Sequence, residues 1–292
     1  MRQPDVSVIT VSFSRAAWVL LKLRSLSALG VPPERLEVVL VDNACPDGVG
    51  AQVEAVEWPF AVKVLRLPQR IAAGPARAMA ADLAQGRWLW WSDDDVLPDR
   101  DALRHHLHRQ LQRPGVTIGA VRFLHQGRLS SLPIRAPSVE RFTGVNTMFE
   151  RAAWLRVRPA ILELPRAYGG EDTAVGYAMK SAGVHFSAVS KSWVTHLGPA
   201  PTLSSDLERA FDAGFNARAL ADRYPTAAFP LGVHDVQLIL KRALFEGVFA
   251  SLLERCWPAT VRFERSYLNG ARAFRGEARE ESGNGGFNRG QR

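Results

Sequence analysis

Cysteine is nearly missing from this sequence: Cys45 and Cys256 are the only two in 292 residues. That count supplies no disulfide framework, and neither residue falls in a repeated metal-ligand spacing. Long apolar runs are missing too, since none reaches the roughly 18 residues of a membrane-spanning helix. The opening Met1-Arg2-Gln3-Pro4-Asp5 leads straight into a strand pattern, without the apolar stretch and cleavage site of a secretory leader. These absences predict a cytoplasmic protein in a reducing compartment. No internal repeat and no heptad array occurs, which argues against solenoids and long coiled coils.

What is present is globular. Hydrophobic residues make up 47% and charged residues 23%, enough apolar surface to bury one large core with a smaller annex. Lys and Arg number 37 against 29 Asp and Glu, a formal charge of +8. Such an excess fits an acidic small substrate, an anionic membrane surface or nucleic acid. Part of it lies toward the C-terminus, where residues 276–292 are rich in Arg, Gly, Asn and Glu and read as a flexible tail.

Strand and helix patterns alternate over the first 112 residues. β-branched or apolar runs at 6–11, 36–41, 62–67 and 88–91 read as strands. Residues 16–29, 75–85 and 99–112 read as helices, closed by Gly30, Gly86 and Pro114-Gly115. This alternation predicts an α/β fold with a mostly parallel sheet, whose functional residues collect beyond the carboxyl ends of the strands. From 117 to about 201 the pattern mixes strands (117–123, 128–132, 144–149, 184–189) with helices at 151–157 and 173–182. Beyond it, 203–223, 233–256 and 259–275 read as helices. The expected division is a catalytic domain over 1–200, a helical extension over 201–275 and the tail.

Asp93, Asp94 and Asp95 stand together at the end of the fourth strand. Three adjacent carboxylates repel one another, so solvent, hydrogen bonds, basic groups or a bound cation must compensate. Hard oxygen ligands of this kind suit Mg²⁺ or Mn²⁺, and a solvated turn ahead of the Asp99 helix is the alternative. Glu171 and Asp172 follow Tyr168-Gly169-Gly170, where they act either as site residues or as an acidic start to the next helix. His196 is a candidate ligand for a metal or a phosphate. Gly74 and Arg77 introduce the Ala-rich helix, whose amides and guanidinium suit a phosphate or a nucleotide edge.

Taken together, these segments resemble the inverting family 2 glycosyltransferases of the GT-A fold, in the expected order over residues 5 to 200. Val6-Ser7-Val8-Ile9-Thr10-Val11-Ser12-Phe13-Ser14-Arg15 resembles the family's first strand and nucleotide-contacting turn, with Ser14 where asparagine is common and Val11 where proline is common. Val41-Asp42-Asn43-Ala44-Cys45-Pro46-Asp47-Gly48 resembles the second-strand motif, with Cys45 in place of serine. Residues 70–78 resemble the segment carrying a glycine and a donor-facing arginine, with Ala78 where asparagine is frequent. Trp91-Ser92-Asp93-Asp94-Asp95 is similar to the metal and nucleotide motif, Gly144-Val145-Asn146 to the acceptor-side strand, and Gly169-Gly170-Glu171-Asp172 to the catalytic loop of N-acetylhexosamine transferases and chondroitin-polymerase-like enzymes.

The resemblance implies a GT-A nucleotide-diphospho-sugar transferase fold with a C-terminal helical extension. It implies donor contacts at Val11, Ser12, Arg15, Asp42, Gly74, Arg77, Asp93, Asp94, Asn146 and Gly170. Asp95, Asp93 and His196 become the metal residues, Asp172 the general base, and Glu171 an acceptor or donor-sugar contact. The implied reaction moves a sugar, N-acetylhexosamine or another hexose, from a UDP carrier to a hydroxyl acceptor with Mn²⁺ or Mg²⁺. The acceptor class, whether glycan, peptide, lipid or small natural product, is left open.

Two other readings compete. A nucleotidyltransferase acting on a sugar phosphate would need a basic glycine loop after the first strand, where residues 11–15 carry one basic side chain. A nucleic-acid-binding module would use Trp88, Trp90 and Trp91 as a stacking platform, although a tight strand-like run places such residues in a core, so no nucleic acid is expected. Residues 233–256 combine Leu238, Leu240, Leu244, Phe245, Phe249, Leu252 and Leu253 with Lys241, Arg242 and Arg255. That pattern suits a homodimer through the C-terminal helices, packing on the catalytic domain, or peripheral contact with the inner membrane face.

Overall fold

The computed structural model describes residues 4–134, 136–166, 168–198, 207–247 and 249–284, with 276–284 described by their backbone alone. The chain divides into two compact units, Met1–Leu162 with Val175–Pro201, and Glu163–Ala174 with Thr202–Arg292. Residues 163–174 thus group with the C-terminal part, whereas the sequence reading draws one boundary at residue 200.

The first unit is built on β1 (Val6–Ser12), α1 (Ala16–Ser27), β2 (Leu36–Asp42), α2 (Val49–Glu54), β3 (Ala61–Arg66), α3 (Ala73–Leu83), β4 (Trp88–Trp91), β5 (Val96–Pro98), α4 (Ala102–Gln112), β6 (Val116–His125) and β7 (Arg128–Leu132). It continues through β8 (Thr147–Glu150), α5 (Arg151–Val157), α6 (Pro159–Leu162), α7 (Glu171–Ser181), inside which the division between units falls, and β9 (Phe186–His196). The sheet order is β3-β2-β1-β4-β8-β6-β9-β5, with β7 paired to β6. Strands β3, β2, β1 and β4 run parallel, as the alternating pattern requires. The sheet becomes mixed at β8, which is antiparallel to both β4 and β6, while β6 and β9 are parallel.

Every residue of β2 is buried, as expected for a parallel strand covered on both faces. The four residues of β4 divide by the period of two. Trp88 and Trp90 join the core with Val6, Val8, Leu23 and Leu40. On the opposite face, Trp91 meets Phe142, Phe149 and Trp154 edge-on, with ring centroids 5.5, 5.2 and 5.7 Å away. These aromatics anchor the sheet beneath the acidic turn, and none of Trp88, Trp90 and Trp91 is exposed as a stacking platform.

The second unit contains α8 (Leu207–Arg223), α9 (Asp235–Phe245), α10 (Ala250–Cys256) and α11 (Pro258–Asn284). The single helix expected over 233–256 is two. The chain leaves the helix around Gly247, whose amide carbonyl accepts from Ala250 and where a Cβ would come 2.4 Å from the Ala243 carbonyl oxygen. α11 runs to Asn284, past the expected end at 275. Helices α8 and α11 touch backbone to backbone. A Cβ on Gly214 would stand 2.0 Å from the Tyr267 carbonyl oxygen, and one on Gly270 would stand 1.9 Å from that of Phe211, so only glycine fits at either point.

Among the described residues no helix is long and apolar enough to cross a membrane.

Candidate active site

Parallel pairing levels the ends of the first strands: Ser12 is the register partner of Asp42, and Ile9 that of Trp91. Ser12, Asp42 and the turn Ser92–Asp95 therefore share one edge of the sheet, with Val11 half-buried beside Ser12. Two residues just past these strand ends, Ser14 and Ala44, have φ of +57°. That left-handed geometry suits asparagine better than serine or alanine, a physical reason for asparagine at the position Ser14 occupies.

Asp42 is committed to its own loop. Its Oδ1 accepts from the Cys45 amide at 2.9 Å and its Oδ2 from the Gly50 amide at 3.2 Å. Cys45 fills the serine position as a donor, with Sγ 3.0 Å from the Ser12 carbonyl oxygen, and burial pushes its thiol up to about 11. The side chain is a packed tie between two loops and not a reactive thiolate. Asn43 clasps the next loop with both ends of its amide, donating to the Ile71 carbonyl at 2.9 Å and accepting from the Ile71 amide at 3.0 Å.

Each carboxylate of the acidic turn has an arginine. Arg15 Nη1 lies 3.0 Å from Asp94 Oδ1 and 2.5 Å from Asp95 Oδ2, and Arg77 Nη2 lies 2.7 Å from Asp93 Oδ1. Burial raises the Asp94 carboxyl above its ordinary range, with Arg15 pulling the other way. Burial works against the Arg15 guanidinium, but Asp94 and Asp95 outweigh it and hold its proton more firmly. Arg77 also lies over the Trp91 ring, 5.1 Å from the centroid. Gly74 is buried in the first turn of the same helix. Gly144 permits the arrangement, because a Cβ there would fall 2.4 Å from Arg77 Nη2 and 2.8 Å from Asp93 Oδ1.

Beneath the turn sits a group that the sequence reading passes over. Lys22 is fully buried, and its Nζ donates to the Ser92 carbonyl at 2.7 Å, Ser92 Oγ at 2.8 Å and the Asp93 carbonyl at 2.7 Å. An ammonium has three hydrogens, and all three are used. Burial pushes Lys22 down to about 7, while Asp93, Asp94 and Asp95 oppose that fall. The available signal was a lysine on the buried face of α1, among Val19, Leu23 and Leu26.

Antiparallel pairing of β5 with β9 brings His196 opposite Val96, and His196 Nε2 lies 3.4 Å from Asp95 Oδ1. That Asp95 oxygen is buried with no hydrogen-bond partner, as is His196 Nδ1. An orphaned carboxylate oxygen beside an imidazole nitrogen is a donor pair that a divalent cation would satisfy. Asp93 is turned to Arg77 instead, and among the described residues no three His, Cys, Asp or Glu side chains form a metal-holding group.

Asn146, expected to touch the donor, requires correction. It is 1% exposed. Its Oδ1 accepts from Trp90 Nε1 at 3.1 Å and lies 2.9 Å from His106 Nε2, and its Nδ2 donates to the Ala120 and Ser192 carbonyls at 3.1 Å each. Two lone pairs and two hydrogens are all this amide offers, so it cements β4, β6 and β9 and has nothing left for a ligand. His106 is equally enclosed, and burial pushes it down to about 4 from 6.5. Between those values the unfolded chain binds the extra proton. This contribution is therefore present above pH 6.5 and lost as pH falls toward 4, by about 3 kcal/mol in all. Denaturant titrations over that range are expected to lose this part of their slope in His106→Gln; an unchanged slope would show that His106 is not its source.

The second unit holds Gly170, Glu171 and Asp172. Gly169 and Gly170 have φ of +82° and +92°, a conformation that favours glycine, and Glu171 and Asp172 form the first turn of α7. Asn216 of α8, fully buried, fixes the approach to that turn. It accepts from the Arg166 amide at 3.0 Å and donates toward the carbonyls of Arg166, Tyr168 and Gly169 at 3.1, 3.1 and 2.7 Å. Nothing in the sequence near Asn216 announces this role.

A sheet parallel as far as β4 and mixed beyond it, with an acidic turn at the changeover, is the architecture of the GT-A glycosyltransferases. Solved structures share it. The mannosyltransferase PcManGT from Pyrobaculum calidifontis, in complex with GDP-Man and Mn²⁺, superposes with a TM-score of 0.65 at 19% identity over 94% of this chain and 87% of its own. S. aureus TarS 1-349, in complex with UDP-GlcNAc, gives 0.57 at 16% identity over 94% and 92%. No curated protein matches the sequence. The model of glycosyl transferase family 2 matches residues 7–153, half of the chain. The protein belongs to that family and is a glycosyltransferase.

Proposed function

We propose that this glycosyltransferase moves a hexose or N-acetylhexosamine from a nucleoside diphosphate carrier, UDP in the first instance, to a hydroxyl acceptor in one inverting displacement. The observation carrying the proposal is the unengaged Asp95 Oδ1 facing His196 Nε2 at 3.4 Å, beside arginines suited to a diphosphate. Asp95 and His196 would hold Mn²⁺ or Mg²⁺, which when bound supplies positive charge against the leaving diphosphate. Arg15 and Arg77, held on Asp94, Asp95 and Asp93, bind and orient the phosphates. In the first unit Val11, Ser12, Asp42 and Gly74 are assigned to donor binding, with Asp93 and Asp94 at its ribose end, and in the second unit the resemblance assigns Gly170 the same role. Asp172 takes the proton of the attacking hydroxyl, and Glu171 contacts acceptor or donor sugar. TarS and PcManGT, solved with UDP-GlcNAc and with GDP-Man and Mn²⁺, support a nucleotide-sugar donor and make GDP the alternative carrier to include.

The test is a panel of UDP- and GDP-sugars with Mn²⁺, Mg²⁺ or chelator and a mixed hydroxyl acceptor pool, reading nucleoside diphosphate release. Metal-dependent release of UDP or GDP is expected. Release of pyrophosphate from a nucleoside triphosphate and a sugar phosphate, without diphosphate release from any nucleotide sugar, would replace this reading with a nucleotidyltransferase.

A further inference from the structure

The second unit carries an apolar face on its outside. Val236, Ile239 and Leu240 occupy one stripe of α9 by the i, i+3, i+4 rule, and they are 57%, 66% and 58% exposed. Phe249, Leu252 and Trp257, at and between the ends of α10, are 63%, 60% and 61% exposed. Leu238 of α9 packs inward with Val233, Ala217 and Ala271, so α9 is apolar toward its own core and toward solvent. Isolated surface apolar residues need no explanation, but six of this size on two successive short helices do.

Among the described residues, the unpaired charges around this face are of one sign. Its acidic residues are all consumed within the unit. Asp235 pairs with Arg218 and Arg275, Glu246 with Arg242 and Arg272, Glu254 with Arg265, and Glu264 with Lys241. Arg255 and Arg262 are exposed, and among the described residues neither has a carboxylate partner. A second copy seated on this face by two-fold symmetry would offer the same unpaired arginines and, its acidic residues being paired already, no free carboxylate to meet them. A bilayer with anionic headgroups accepts both features, since it takes apolar side chains at the acyl boundary and arginines at the phosphates. Trp257, between α10 and α11, is the residue type favoured at that boundary.

We infer that the α9–α10 face is a docking surface for an anionic lipid bilayer, with Ile239, Leu240, Leu252 and Trp257 entering the interface and Arg255 and Arg262 engaging lipid phosphates. This goes beyond the proposed reaction and does not depend on the donor.

Sedimentation of the full chain with phosphatidylglycerol-containing vesicles, against phosphatidylcholine alone, tests it. The wild type is expected to sediment with the anionic vesicles, less at high salt. Leu240→Glu/Leu252→Glu is expected to bind roughly tenfold more weakly or worse. Arg255→Glu and Arg262→Glu each cost about fivefold on anionic vesicles and little on neutral ones. Brominated lipid is expected to quench tryptophan emission in the wild type and less in Trp257→Phe, a readout that stands even if a charged variant misfolds. Absence of vesicle binding, or equal binding by the wild type and the folded double variant, overturns the inference. So does a wild-type dimer that ignores vesicles and that Leu240→Glu/Leu252→Glu converts to monomer, which would make a second copy the occupant. Donor turnover in solution tests the proposed reaction separately.

Discussion

Asp172→Asn is expected to lower kcat by about a thousandfold, within the range typical for loss of a general base, while nucleotide affinity and thermal stability stay close to wild type. The substitution keeps the size of the side chain in the first turn of α7 but removes its capacity to take a proton. The same change at Asp95 should act differently. A neutral amide there faces His196 and loses one charge of the proposed cation site, so metal-dependent nucleotide binding should fall together with turnover. Calorimetric titration of UDP with Mn²⁺, beside steady-state diphosphate release, separates the two. Near-normal turnover by Asp172→Asn would remove the base from Asp172 and leave the family assignment intact.

Lys22→Met is expected to reduce transfer about a hundredfold, the scale associated with small misplacements of reacting groups, although Lys22 Nζ bonds only to the Ser92 and Asp93 backbone and the Ser92 hydroxyl. Methionine fills the volume but removes three charge-assisted bonds, at about 1.5–3 kcal/mol each, while the Ser92 carbonyl keeps the Thr10 hydroxyl and the Asp93 carbonyl keeps the Val96 amide as donors. Against that stands relief from keeping an ammonium in the core, a cost visible in the lowering of Lys22 to about 7. The two terms are similar in size, so stability should move by no more than about 2 kcal/mol. The loss should appear in catalysis and nucleotide affinity, because the turn presenting Asp93, Asp94 and Asp95 then depends on the weaker ties from Thr10, Ile9 and Val96 alone. Denaturant melts and diphosphate release, measured well below the melting temperature of the variant, check this. Ser92→Ala, which removes one acceptor together with its claim on Lys22, should be milder. A Lys22→Met protein with wild-type turnover would mean that the turn holds its shape unaided.

Much of the fold could be read directly from periodicity. The runs at 6–11 and 36–41 lie within β1 and β2, and the acidic triplet does end β4. These features are local, written in neighbouring residues. Asn146 misled because the sequence does not say which way an asparagine beside a strand points, and its partners Trp90, His106, Ala120 and Ser192 are scattered along the chain. Lys22 and Asn216 escaped for a related reason. Their acceptors are mostly backbone carbonyls 70 or 71 and 47 to 50 residues away, and every residue type except proline offers the same backbone groups. The break at Gly247 was available in principle, but apolar spacing continues across it and a periodicity argument runs straight through.

The reciprocal glycines of α8 and α11 have a consequence for the unit they join. With a bare Cα from each helix pressed on the backbone of the other, sliding one helix by a turn would drive a side chain into a peptide group. The pair therefore has one axial setting and behaves as a keyed joint. Asn216, two residues beyond Gly214 on α8, inherits that setting, so the loop it grips ahead of Glu171 is referenced to a fixed mark.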